Sequence, residues 1–275
     1  MSKGKSKTGY LVYQVDKSEK KYDLSVGQLY ISDGKKTKDE ITIPVKISKY
    51  KDNTEEIKSL TNQFINQTFL NGSGSLSRTY TSAASFEGKK ATVELLATKS
   101  KSSKKLSNDA DSDKKAYYDV FSQALKNSFQ YFKPSDAETT TFIDQYVEVN
   151  AKRAKMDVTI KSYFPDSAVV QVKPSVIDLK DMDLTSLEKD YINQHKNDSN
   201  SDYQTYYKEA EKYVFDNMHS HYDDAQVNTP KYMPTDGYTL KLQRDSDSGK
   251  WKVDTTESSS NYSYDDLLEA FSGGM

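Results

Sequence analysis

The chain has 275 residues, 35% of them hydrophobic, with 39 Lys+Arg against 41 Asp+Glu and no cysteine. Without thiols there are no disulfides or thiolate metal sites, no apolar window approaches the ~18 residues of a membrane-spanning helix, and a pI near 6.0 with scattered lysines argues against nucleic-acid binding. The net charge of -2 hides a split, since residues 1–107 carry 20 Lys+Arg against 11 Asp+Glu and residues 108–275 carry 19 against 30; such a basic amino-terminal half favours an anionic surface.

In chain order, residues 1–8 read as a polar tether, because Lys3, Lys5 and Lys7 come with no acid and no side chain able to pack. Strand-like sequence starts directly afterwards, at 10–15, and recurs at 22–32, 75–83 and 90–98. Ile41, Ile43, Val45 and Ile47 alternate as in a half-buried strand, with Pro44 on the opposite face marking an edge. One helix interrupts the strands: Asn53 and Glu56 match a capping box, followed by Ile57, Leu60, Phe64, Ile65, Phe69 and Leu70. Residues 9–98 are therefore expected to form a β-rich domain with one helix.

Residues 99–113 lie in a low-complexity run of Lys, Ser and Asp that cannot bury apolar area, and they are expected to be a linker. The period then becomes 3.6. Tyr117, Val120, Phe121, Ala124, Leu125, Phe129 and Phe132 predict one helix, ended by Pro134, and Ser135 with Glu138 caps a second. Val158 and Ile160, a Pro165-Asp166-Ser167 turn, then Ala168, Val170 and Val172 predict a hairpin. Thr185 and Glu188 cap a further helix, and the next places Tyr203, Tyr207, Ala210, Val214 and Met218 on one face. A last hairpin crosses Asp245 to Gly249, and a short helix spans 264–271. Residues 114–275 are thus expected to be a second domain, and the whole chain α+β.

The order helix, helix, hairpin, helix, hairpin, with the closing GYTLKLQRDSDSGKWKVD (Gly237 to Asp254), resembles the carboxy-terminal domains of Gram-positive surface lipoproteins. Their folds are similar to cystatin-like or NTF2-like cones, and the likeness covers roughly residues 114–272. It implies that Met1 stands where such families carry a lipidated cysteine, and that the protein is held at the extracellular face of the cell membrane.

Few residue patterns carry chemistry. His219-Ser220-His221-Tyr222-Asp223 resembles the His-x-His-x-Asp signature of metallo-β-lactamase-like hydrolases and makes His219, His221 and Asp223 the candidate metal ligands. Asp224 stands where that family has a histidine, and the motif ends a helix instead of following a strand; an exposed helix end suits histidine equally well. Asp109, Asp111 and Asp113, or Asp245 and Asp247, put Lys114 or Lys250 where an EF-hand needs glycine. No nucleophile elbow and no phosphate loop is present, so no catalytic residue and no cofactor is assigned.

Tyr203, Tyr206, Tyr207 and Tyr213 are the candidate binding residues, since Tyr206 and Tyr213 fall off the apolar stripe and exposed tyrosines are common in binding surfaces. The expected function is a non-enzymatic binding module for an envelope protein, peptide or cell-wall component. The alternative is an NTF2-like enzyme or small-ligand binder with carboxylates and tyrosines lining the cone.

Overall fold

A computed structural model describes residues 18–32, 35–46, 53–70, 77–82, 91–92, 105–195, 202–256, 258 and 261–275. The expected tether, the run at 10–15, Ile47 and residues 99–104 of the expected linker lie outside the described residues. The chain divides into two units, Met1–Asn53 and Thr54–Met275.

The first unit holds an antiparallel ribbon of β1 (Lys21–Ser32) and β2 (Lys35–Lys46), in register from Lys21 opposite Lys46 to Ser32 opposite Lys35. The two residues between the strands are Asp33 and Gly34, a pair that two-residue hairpin connections favour. Tyr22 faces Val45 and Leu24 faces Ile43, yet Ile43 stays 47% exposed, so the alternation predicts the strand but not its full burial. Pro44 sits opposite Asp23 and is exposed, as an edge residue without a donor must be.

The second unit is α+β. It runs α1 (Thr54–Phe69), β3 (Ser77–Ser82), β4 (Ala91–Thr92), α2 (Ala110–Ser128), α3 (Asp136–Arg153), β5 (Lys155–Tyr163), β6 (Ser167–Ile177), α4 (Thr185–His195), α5 (Tyr203–Asn217), β7 (Val227–Asn228), β8 (Tyr238–Arg244), β9 (Trp251–Val253) and α6 (Tyr262–Phe271). One sheet has the order β4-β3-β5-β6-β8-β9, with β7 beside the end of β6. β3 is parallel to β5, while the remaining pairs are antiparallel. β6 alternates half-buried and buried residues from Ser167 to Val176, and Ile177 is buried as well, as in a central strand.

This division corrects the expected boundary at residues 99–113. The α1 stripe of Ile57, Leu60, Phe64, Ile65 and Phe69 is buried in the same core as Tyr117 and Phe271. Phe69 stacks on Phe271 at 4.3 Å and meets Tyr117 edge-on at 5.1 Å, and Phe64 lies 6.1 Å from Tyr264. The stripe needed an apolar partner, and the second half of the chain supplies it. β3 extends the same sheet.

The described end of the expected linker is also held. Trp251 donates its amide to the Lys105 carbonyl, the Ser107 amide donates to the Trp251 carbonyl, and Asn108 both accepts from the Val253 amide and donates to its carbonyl. Asp109 then caps α2 by accepting from the amides of Asp111 and Ser112. Backbone pairing, which composition does not report, fixes this polar segment.

Other expectations need smaller changes. α2 ends at Ser128, although Phe129 and Phe132 continue into the core as the periodicity requires. Ser135 and Glu138 form the expected capping box on α3. Thr185 lies inside α4, and Asp183 accepts from its amide at 3.0 Å. The two hairpins, β5–β6 and β8–β9, form where the turn residues place them.

Candidate functional site

Asp202 opens α5 by accepting from the amides of Gln204 and Thr205. The helix then turns Phe215 and, just beyond its end, Met218 into the core. Phe215 stacks on Phe142 at 5.1 Å and meets Phe129 and Phe132 at 5.7 and 5.4 Å. One turn earlier on that face is Glu211. Its carboxylate accepts from three consecutive backbone amides, Gln130 at 3.0 Å, Tyr131 at 2.7 Å and Phe132 at 2.6 Å. These amides follow the end of α2, so a side chain on another helix supplies the acceptor for the turn after it.

The stripe expected from the sequence is therefore rotated. Tyr203 and Tyr207 are 66% and 39% exposed, and Ala210 and Val214 are half-buried. The Glu211 clamp brings Tyr131 to both tyrosines, with ring centroids 5.5 Å from Tyr207 and 6.4 Å from Tyr203. Tyr203 and Tyr207 are 4.4 Å apart. A hydrogen bond with the Tyr203 hydroxyl holds the Tyr207 phenol above its ordinary value. The result is a cluster of three tyrosine rings.

Tyr206 and Tyr213 go elsewhere. Both are half-buried around Tyr191 of α4, at 5.5 and 5.6 Å, while His195 stacks on Tyr191 at 4.2 Å with Nδ1 2.9 Å from its carbonyl. These two tyrosines join α4 to α5. Tyr222 is buried at 5.8 Å from Phe142 and 5.9 Å from Tyr146. Tyr131, absent from the expected set and half-buried, backs the two exposed rings, with its amide held by Glu211.

The candidate metal residues lie in and beside a 3-10 turn, Met218–His221. His219 and Asp223 are exposed and His221 is half-buried, while the Tyr222 between them is drawn inward and its carbonyl is bound by the Arg153 guanidinium. Among the described residues no three His, Asp or Glu side chains come together as a metal site. Asp245 accepts from the amides of Asp247 and Ser248, which is turn chemistry. Asp113 accepts from the Asn108 amide group, and burial pushes its carboxyl upward.

Between α2, α3 and the sheet the volume is taken by Tyr117, Phe121 and Tyr146, all fully buried. Phe121 meets Tyr146 edge-on at 5.2 Å; the Tyr146 hydroxyl donates to the Ile177 carbonyl and that of Tyr117 to the Phe271 carbonyl. No helix among the described residues is long and apolar enough to cross a membrane.

Compared with family models and with curated proteins, the chain matches none. Among solved structures it is similar to ycdA, a candidate lipoprotein of Bacillus subtilis, at 17% identity and a TM-score of 0.47, over 91% of this chain and 67% of that one. A likeness of this depth leaves function to the side chains.

Proposed function

We propose that this chain is a non-enzymatic interaction module at the extracellular face of the cell membrane, binding an envelope protein, peptide or cell-wall component. The observation that carries the reading is the cluster of exposed Tyr203 and Tyr207 against half-buried Tyr131. Aromatic rings left at the surface bring large contact area at low side-chain entropy cost, and tyrosine is enriched where proteins bind. Tyr117, Phe121 and Tyr146 fill the space between α2, α3 and the sheet that an enzyme site there would need open. The helices laid on the β5–β6–β8–β9 run are in keeping with a cystatin-like or NTF2-like cone.

The test is co-sedimentation of the purified chain with a Gram-positive envelope fraction. Tyr203→Ala with Tyr207→Ala should lower binding by about tenfold or more, as loss of central aromatic anchors does, with melting unchanged. Equal binding by the double variant would reject the tyrosine face. Treating the fraction with protease or with muramidase then separates a protein partner from a glycan.

The envelope assignment rests on the thiol-free composition and the lysine-bearing segment at 2–8. Metabolic labelling of the native protein with radioactive palmitate should give a labelled, membrane-associated species. An unlabelled protein recovered in the cytoplasm would reject it.

A further inference from the structure

A cavity of about 220 Å³ opens among the end of β6, the loops after β6 and β7, the start of β8, and α6. It is built from other elements than the tyrosine face. Asp178, Asp181, Asp266 and Glu269 line it, with Tyr232 and Tyr238 as aromatic walls and Val176, Pro230 and Ala270 as apolar surface. Lys180 and Lys231 are also at the lining, which leaves two more carboxylates than ammonium groups. No ion pair within 4.0 Å joins either lysine to these carboxylates among the described residues, and the Lys231 ammonium lies 5.8 Å from the Tyr232 ring.

Tyr238 is only 4% exposed, lines the cavity, and its hydroxyl makes no hydrogen bond among the described residues. Burial, with the charges of Asp266 and Glu269, pushes the Tyr238 phenol up to about 12, so it is a neutral hydroxyl at the acidic end of the cavity. It accepts a hydrogen bond there as readily as it donates one.

We propose that this cavity binds an alkylammonium group, its charge beside Asp266, Glu269 and the Tyr238 hydroxyl and its methylenes against Val176 and Pro230. The carboxylates ring the cavity and no three of them meet as a metal site, which disfavours a divalent cation. A volume below the ~300–1,000 Å³ of drug-sized sites admits a head group or a side-chain tip, not a cofactor. The ammonium comes either from a free amine or from a lysine side chain of a peptide, and the chemistry recognised is the same.

Calorimetric titration of the full chain tests this with n-butylammonium chloride, with the peptide acetyl-Gly-Lys-Gly-amide, and with n-butanol as the uncharged control. Saturable binding of one or both charged probes, absent for butanol, is the expected result, and the tighter of the two identifies the source. Asp266→Asn with Glu269→Gln should weaken that binding by about tenfold or more, and Tyr238→Phe by a smaller factor. Raised salt should weaken it too. Circular dichroism of each variant checks that the fold is intact. Failure of both charged probes to saturate, equal binding of butanol, or undiminished binding in a folded double variant would overturn the proposal. So would calcium chloride binding stoichiometrically in place of either amine. Each of these results is independent of the tyrosine-face variants.

Discussion

A fragment spanning residues 54–275 should unfold in one cooperative transition, and a fragment starting at residue 114 should not fold. The shorter fragment loses α1, β3, β4, the segment at 105–109 that pairs with β9, and the first turn of α2. Ile57, Leu60, Phe64, Ile65, Phe69 and Leu70 are each at most 2% exposed. At about 1.5–3 kcal/mol per buried side chain, these six are worth roughly 9–18 kcal/mol before unfolded-state burial is allowed for. That matches the whole stability of a typical domain, about 5–15 kcal/mol. The loss also strips Phe69 from Tyr117 and Phe271 and leaves β5 without its parallel neighbour. Circular dichroism and calorimetry on the two fragments measure this directly. A native-like melt from residues 114–275 would show that α1 is dispensable.

Glu211→Ala should be the most damaging single change at the candidate site, lowering stability by about 2–4 kcal/mol through loss of charge-assisted hydrogen bonds. Three amides, at 2.6–3.0 Å, lose their acceptor together, and that of buried Phe132 has little access to water in its place. Glu211→Gln keeps one carbonyl oxygen and should fall between wild type and alanine. Chemical denaturation of the three proteins gives the order. The same substitution frees Tyr131 from Tyr203 and Tyr207, so envelope binding should fall with it. Stability unchanged within about 0.5 kcal/mol would mean that the turn at 130–132 holds itself.

The acid side of the pH profile has a definite sign. Hydrogen bonds from the backbone and hydroxyl of Ser135 hold the Glu138 carboxyl below its ordinary range, so its contribution is present above the unfolded value and is lost as pH falls through the folded one. Asp113 acts in the opposite direction: burial raises its carboxyl, and stability tied to its protonated form is lost as pH rises.

The residues themselves determined the local elements. Ser135 and Glu138 announce α3 because a capping box satisfies donors within a few residues, and Pro165-Asp166-Ser167 and Asp245 to Gly249 announce two hairpins because turns are local. Helix stripes in α1 and α2 and alternation in β6 were readable for the same reason, and with them the α+β class. What the stripes face was not readable. An apolar stripe states that a partner exists and not which one, so only the tertiary structure decided that α1 joins the core across the polar segment before residue 110.

The binding face shows the same limit more sharply. On α5 the string of Tyr203, Tyr207, Ala210 and Val214 looks apolar, but tyrosine is amphipathic and tolerates either side. Phe215, set against Phe142, and buried Met218 fix the inward face of the helix, and Tyr203 and Tyr207 face water. Tyr131 reaches them only because a carboxylate some 80 residues away accepts its amide. Capping by a neighbouring helix has no sequence spacing to betray it. The chain alone determined which residues can bind; long-range packing and hydrogen bonding decided which of them are free to do so.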